Sequence, residues 1–367
     1  RRFSSDQVKN FNSQQVKIIN QFSPNRPVSH NYMGHFVEFD HYKVSEDLDI
    51  AAWDSYPLGN LQNMQSIARE DKKLLFECYN IGDPDFQAYH HDLYRGMGRL
   101  WVMEQQPGTV NWARYNPIPL PGAVRMWTWE AFAHDAEVVS YFRWRQAPYA
   151  QEQMHAGLMH CDNSPAMGSK EALQVSKEIQ EIELPPTQKA EIALLHDYEA
   201  CWMTEIDGQT QDFHYTRLML DFYKSIRTNG GSLDIVGKNT DFTEYKLIII
   251  PSFVHLDEEI FSRITLSGAK ILAGPRTGVK TNEFQIPHNL SLEGLGFKVT
   301  RVDALPQELP IEVEWKGIKG HMNVWREQGQ CSGTSDGKGI DDMPVVTTGN
   351  KGSYLCGWPD ENLLKAI

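Results

Sequence analysis

The chain has little sulfur chemistry to offer. Its five cysteines (Cys78, Cys161, Cys201, Cys331, Cys356) are scattered and odd in number, and no C-x-x-C pair occurs. That excludes a disulfide framework and a closed zinc cluster, and makes a reducing, cytoplasmic compartment the simplest expectation. No apolar run approaches the ~18 residues of a membrane span; Leu247–Pro251 is strand-length. Basic charge is scarce: 35 Lys and Arg stand against 48 Asp and Glu, a formal net charge of -13. Such a surface repels phosphate backbones and anionic lipid, so neither nucleic acid nor membrane is expected as a partner. There is no low-complexity segment and no Gly-rich phosphate loop; Gly294-Leu295-Gly296 lacks a preceding strand and the remaining glycine.

What the chain has is aromatic surface and alternation. Ten tryptophans lie mostly before residue 203. Indole and phenol rings stack on the apolar faces of pyranoses, although a large core uses them equally well. Residues 1–184 alternate helix and strand. Ser4–Phe22 has helical spacing, with Val8, Phe11, Val16, Ile19 and Phe22 near one face, and Pro24 and Pro27 stop it. Strands are expected at 28–32, 49–56, 99–105 and 137–144. Helical stretches fall at 61–79, 84–97, 124–135 and 169–183. Pro185-Pro186 marks a boundary. Residues 187–367 then open a second series, with strands at 191–196, 233–236, 247–250 and 270–273, a helix at 213–228, and closing strands at 343–347 and 352–356. The expected fold class is α/β: the C-terminal half of a (β/α)8 TIM barrel, four of its eight strand–helix units, followed by a flavodoxin-like α/β domain.

In a (β/α)8 barrel the chemistry sits at the C-terminal strand ends. Glu104 ends the apolar run Leu100-Trp101-Val102-Met103 and opens a polar turn, Gln105-Gln106-Pro107-Gly108. It suits a glycosidase carboxylate, and it equally suits a strand-end ion pair. Asp54 and Tyr56 end the preceding strand, Arg143, Trp144 and Arg145 the following one, and Trp112 lies eight residues beyond Glu104. Glu152-x-x-His155 is also half of a di-iron motif, but no second copy accompanies it, and His160-Cys161 has the wrong spacing for zinc. No metal is therefore expected. In the second series no Cys follows the strand 247–250, where an amidotransferase would carry its nucleophile; Pro251-Ser252-Phe253 stands there instead.

At this point the sequence resembles glycoside hydrolase family 42, the β-galactosidases. The resemblance rests on M-E-Q-Q-P-G-x-V-N-W (Met103–Trp112), H-N-Y-M-G (His30–Gly34), W-D-S-Y-P (Trp53–Pro57), Y-F-R-W-R-Q-A (Tyr141–Ala147), Q-E-Q-M-H (Gln151–His155) and Gly274-Pro275-Arg276-Thr277-Gly278, which occur in the family's order along nearly the whole chain. It implies a retaining hydrolase that removes terminal β-D-galactosyl groups by double displacement, without a cofactor. Glu104 would be the nucleophile at barrel strand seven. Trp112, Glu152 and His155 would contact galactose, and Tyr56 and Asp54, on strand six, would be further substrate-binding residues, with Tyr56 near the nucleophile. The second domain would assemble a homotrimer.

One departure matters. The family's acid/base Glu follows an Asn at the end of strand four. The only Asn-Glu here, Asn282-Glu283, falls in the second series. The expectation is a fragment that begins after strand four, is inactive alone, and leaves any zinc-holding cysteine cluster of its relatives to a preceding segment. Two other readings stay open: a non-catalytic carbohydrate-binding or assembly protein on a degraded barrel, and a glycosidase for another β-linked sugar.

Overall fold

The computed structural model describes residues 1–67, 71–185, 187–288 and 294–367, and divides into two compact units, Arg1–Gln188 and Lys189–Ile367. Pro186, half of the expected boundary, lies outside the described residues, as does the middle of the expected helix at 61–79.

The first unit runs α1 (Arg2–Phe22), β1 (Ser29–Tyr32), α2 (His41–Ser45), β2 (Ile50–Ser55), α3 (Pro57–Ile67), α4 (Lys72–Cys78), α5 (Pro84–Arg95), β3 (Arg99–Gln105), α6 (Ala123–Ala133), β4 (Val138–Tyr141) and α7 (Met167–Glu178). The strands form one parallel sheet in the order β1-β2-β3-β4. Sequential order with a helix in each crossover is the geometry of successive barrel units. β2 shows why it is interior: Ile50, Ala51, Ala52 and Trp53 are all buried, as a parallel strand covered on both faces requires. Side-chain caps start the helices. Asp83 Oδ1 accepts from Asp85 N at 3.0 Å with Pro84 in the first turn of α5, and Asp71 Oδ1 accepts from Leu74 N at 2.9 Å at α4. Behind β4, Leu58, Ala123, Val124 and Trp127 pack together against Tyr141. The polar ends of that cluster are satisfied: Trp127 Nε1 donates to Ile81 O at 2.8 Å, and Thr128 Oγ1 lies 2.7 Å from Tyr141 OH.

The second unit contains β5 (Ile192–Leu195), α8 (Tyr198–Ile206), α9 (Tyr215–Thr228), β6 (Leu233–Val236), β7 (Leu247–Ile250), α10 (Glu258–Leu266), β8 (Lys270–Ala273), β9 (Phe297–Ala304), β10 (Ile311–Trp315), β11 (Ile318–Cys331), β12 (Thr334–Gly339), β13 (Pro344–Thr348), β14 (Ser353–Leu355), β15 (Gly357–Pro359) and α11 (Glu361–Ala366). β6-β5-β7-β8-β14 are parallel, in the order of a doubly wound sheet. From β14 the same sheet continues antiparallel through β13, β12, β10 and β11, with β9 and β15 both on β11. The sequence reading anticipated the parallel half and the strands β13 and β14, and missed β9 to β12 and β15. β12 reads Thr-Ser-Asp-Gly-Lys-Gly, a turn composition, and is a strand because both its neighbours pair with it.

Candidate active site

Three strand ends converge at one edge of the first sheet. β2 and β3 pair with a register shift after Trp53, which sets Asp54 opposite Glu104 and Ser55 opposite Gln105. Gln105 and Gln106 are fully buried and lock the turn. Gln106 N donates to Ser55 O at 2.9 Å, Gln106 Oε1 accepts from Leu58 N at 3.1 Å, and Phe142 N donates to Gln105 O at 3.2 Å. The run Glu-Gln-Gln is thus one outward carboxylate held by two inward amides.

Both oxygens of Glu104 are engaged from neighbouring strand ends. Tyr56 OH donates to Oε2 at 2.5 Å, and Asn31 Nδ2 donates to Oε1 at 3.3 Å. Tyr56 is 8% exposed. Its phenol is pushed well above its ordinary range, first by burial, then by the hydrogen bond to Glu104, then by the charges of Glu104, Asp54 and Glu152. It is therefore a permanent donor to the carboxylate. Asp54 is pushed up to about 8, first by burial and then by the charge of Glu104, with the Asn31 side chain opposing.

Rings wall the carboxylate. Tyr56 meets Trp112 edge to face at 5.5 Å and His155 edge to face at 5.7 Å, and Phe142 meets His155 edge to face at 5.3 Å. Trp112 rests on Gly59 in the first turn of α3, where any Cβ would overlap the indole, and it remains 42% exposed. His155 arrives on a loop tied to β4's end: Leu158 N and Met159 N donate to Arg143 O and Trp144 O, both at 2.8 Å, and Ala156 N donates to Thr109 O at 2.8 Å. Burial lowers the His155 pKa, against the weaker pull of its Ala156 contact and of Glu152, so the ring is neutral near pH 7. Glu152, in a left-handed turn at φ 60, is held by the Arg143 guanidinium, which stacks 4.8 Å from the Phe142 centroid.

The structure thus brings Tyr56, Glu104, Trp112 and His155 into one mouth by direct contact. Asp54 joins by strand register, and Glu152 through Arg143 and its charge on Tyr56 and His155. Sequence reasoning missed Asn31 as a contact of Glu104. Its signal was a polar residue at the end of the first strand, within the His30–Gly34 motif. Several polar atoms here are buried without a hydrogen-bond partner among the described residues: Asp54 Oδ1, Asn111 Oδ1, Arg143 Nε and His155 Nε2. Unsatisfied donors and acceptors of this kind suit a hydroxylated ligand. Among the described residues no group of three or more His, Cys, Asp or Glu could hold a metal, and no helix is long and apolar enough to cross a membrane.

Residues 1–182 match a family model described as β-galactosidase, and residues 190–363 match one described as a β-galactosidase trimerisation domain. The chain is 43% identical over its whole length to a β-galactosidase of a Thermus species, of which it covers 57%, and 44% identical to one of Thermus thermophilus, of which it covers 56%. Among solved structures it superposes on a β-galactosidase from the psychrophilic Marinomonas ef1 with a TM-score of 0.94 at 43% identity, covering 100% of this chain and 58% of that one. A β-galactosidase of the Antarctic haloarchaeon Halorubrum lacusprofundi gives 0.93 at 34% identity, with coverage of 99% and 56%. The chain therefore spans a little over half the length of the relatives it matches.

Proposed function

Because the chain belongs to glycoside hydrolase family 42, the β-galactosidases, we propose that its first unit carries the nucleophile side of a retaining active site that removes terminal β-D-galactosyl groups. The observation that carries the proposal is the setting of Glu104: a carboxylate at a parallel-strand end, with one oxygen on Tyr56, whose ring meets the exposed Trp112 indole edge to face, and the other on Asn31. Such a carboxylate attacks an anomeric carbon, and the covalent intermediate is then released by water.

Tyr56 has two uses in that scheme. Its hydrogen bond fixes the carboxylate before attack, and its proton never competes for transfer near neutral pH. Trp112 offers an apolar face to the pyranose. Glu152, oriented by Arg143, and neutral His155, with its buried Nε2, are the groups we assign to galactose hydroxyls. Such contacts tighten as charge develops in the transition state. Asp54 belongs to the same mouth. Double displacement also needs a second carboxyl as acid/base. The one Asn-Glu pair, Asn282-Glu283, sits in the second unit, where Asn282 Nδ2 donates to Asp257 Oδ2 at 3.1 Å.

The second unit is assigned to assembly as a homotrimer, supported by the trimerisation-domain match over residues 190–363. The five free thiols support a cytoplasmic location. The test is hydrolysis by the full-length protein of chromogenic β-galactoside, β-glucoside and α-arabinoside, with NMR of the first-formed sugar. Preference for the β-galactoside with initial β-galactose supports the reading. Preference for another glycoside moves the substrate, initial α-galactose removes Glu104 as nucleophile, and no hydrolysis at all leaves a binding protein.

A further inference from the structure

The first turn of α3 is tied to the turn that carries Glu104 at two points. Tyr56, directly before the helix, donates to Glu104 Oε2 at 2.5 Å, and Leu58 N donates to Gln106 Oε1 at 3.1 Å. Asn60 N donates to Tyr56 O at 2.8 Å and closes the turn, while Leu58 is buried in the cluster with Trp127 and Tyr141. Gly59 lies between these fixed residues. Its φ is outside the left-handed region, so the backbone does not call for glycine there, and alanine is the better helix former. What a side chain lacks is room. A Cβ on Gly59 would stand 2.8 Å from Cζ2 and 2.9 Å from Cζ3 of Trp112, with Cη2 nearer still.

Of the two parts in contact, only the indole is free to give way. The backbone of α3 is held by the core and by Gln106, whereas Trp112 belongs to no helix or strand and touches Gly59 with the far edge of its ring. The same indole meets the Tyr56 ring edge to face at 5.5 Å. Resting on the glycosidase reading above, in which Trp112 stacks on the pyranose, we propose that Gly59 is a positioning residue: by carrying no side chain it seats the indole directly on the α3 backbone and so sets the level of the sugar-stacking face relative to Glu104. Tyr56 and Gln106 tie the carboxylate's turn to α3, and Gly59 ties the ring to the same helix turn. Ring and nucleophile then share one reference, and the fit of a pyranose depends on a position that touches no sugar.

The test is a double-variant comparison in the full-length protein, read by the kinetics of a chromogenic β-galactoside and by calorimetric binding of galactose. G59A should raise KM and the galactose Kd by ~3- to 10-fold, the scale of a ring contact. Its kcat should stay within about 2-fold of wild type, because the contacts of the carboxylate are untouched. W112A should raise KM and Kd at least as much. G59A/W112A should be no weaker than W112A, since the side chain at 59 then has nothing to displace. Wild-type KM and Kd in G59A beside an impaired W112A overturn the proposal alone, as does a double-variant loss equal to the product of the two single losses. If G59A does not fold, recovery of a folded protein in G59A/W112A supports the contact, and failure of both overturns it. Wild-type KM and Kd in W112A overturn the stacking role of Trp112 itself, and the proposal with it.

Discussion

Each unit of the chain holds a glutamate that accepts from a tyrosine, and the two glutamates are opposites. Glu327, on β11, is fully buried and saturated: Tyr354 OH donates at 2.6 Å, Trp325 Nε1 at 3.0 Å and Arg276 N at 2.9 Å. Arg276 is itself pinned, its guanidinium 4.7 Å from both the Phe213 and Trp325 centroids and donating to Asp207 O and Gly208 O. Next in sequence, Arg326 grips Asp341 with two hydrogen bonds of 2.9 and 3.0 Å and donates to three carbonyls. Glu104 also has its tyrosine, but it sits at a strand end, and that tyrosine meets an exposed indole and a histidine whose Nε2 lacks a partner among the described residues. The lesson is that a glutamate's surroundings, more than its hydrogen-bond count, separate a structural role from a chemical one. Where every neighbour is satisfied the group holds the fold. Where several neighbours wait for a partner, a ligand is the natural one.

The largest effect should separate the pair most cleanly. Glu104→Gln in the full-length protein should cost several orders of magnitude in kcat while galactoside still binds, because shape is kept and the nucleophile lost. Residual kcat above ~10% of wild type would break the assignment. Glu327→Ala should do the reverse. It orphans three buried donors, each worth ~1–3 kcal/mol, so urea unfolding should show a large loss of stability without a specific loss of catalysis in whatever remains folded. Glu152→Ala should fall between them. We expect a ~10- to 100-fold lower kcat/KM, the scale of a hydrogen bond to a charged group, with KM raised and kcat reduced. Activity abolished by a chelator and restored by a divalent ion at this residue would contradict a sugar-binding Glu152.

A further effect is one of pH. An Asp raised to about 8 in the folded state, from 3.8, keeps a proton that the unfolded chain has released anywhere between those values. The folded state then binds more protons, so this group makes stability fall as pH rises through that window. Asp54→Asn should therefore raise the melting temperature more at pH 8 than at pH 5. An equal shift at both pH values would mean that Asp54 is ionised throughout.

Much of this was legible in sequence, unevenly. β3 could be bounded at Arg99–Gln105 because an apolar run ends there in Glu-Gln-Gln and Pro. The β2 end, Asp54 to Tyr56, was readable for the same reason. The contacts of Asn31 with Glu104 and of Arg143 with Glu152 were not. The first depends on cross-strand register, and the second on a loop that turns through positive φ at Ala150 and Glu152, positions that carry no glycine to announce them. The antiparallel arm was hidden similarly. Gly320, Gly329, Gly337 and Gly339 read as turns, yet at Gly329 a Cβ would strike the Lys298 backbone of the adjacent strand β9, so that glycine permits pairing rather than ending it.

The contrast between the two glutamates can be put to a single trial. The full-length protein would be incubated with an activated 2-deoxy-2-fluoro-β-galactoside, whose fluorine slows release of a covalent intermediate, and then digested and mapped by mass spectrometry. The label should sit on Glu104, in the peptide containing Met103–Trp112, with one sugar per chain and turnover lost in proportion. A label on any other carboxylate, or full inactivation with Glu104 unmodified, would contradict the assignment of Glu104 as the nucleophile.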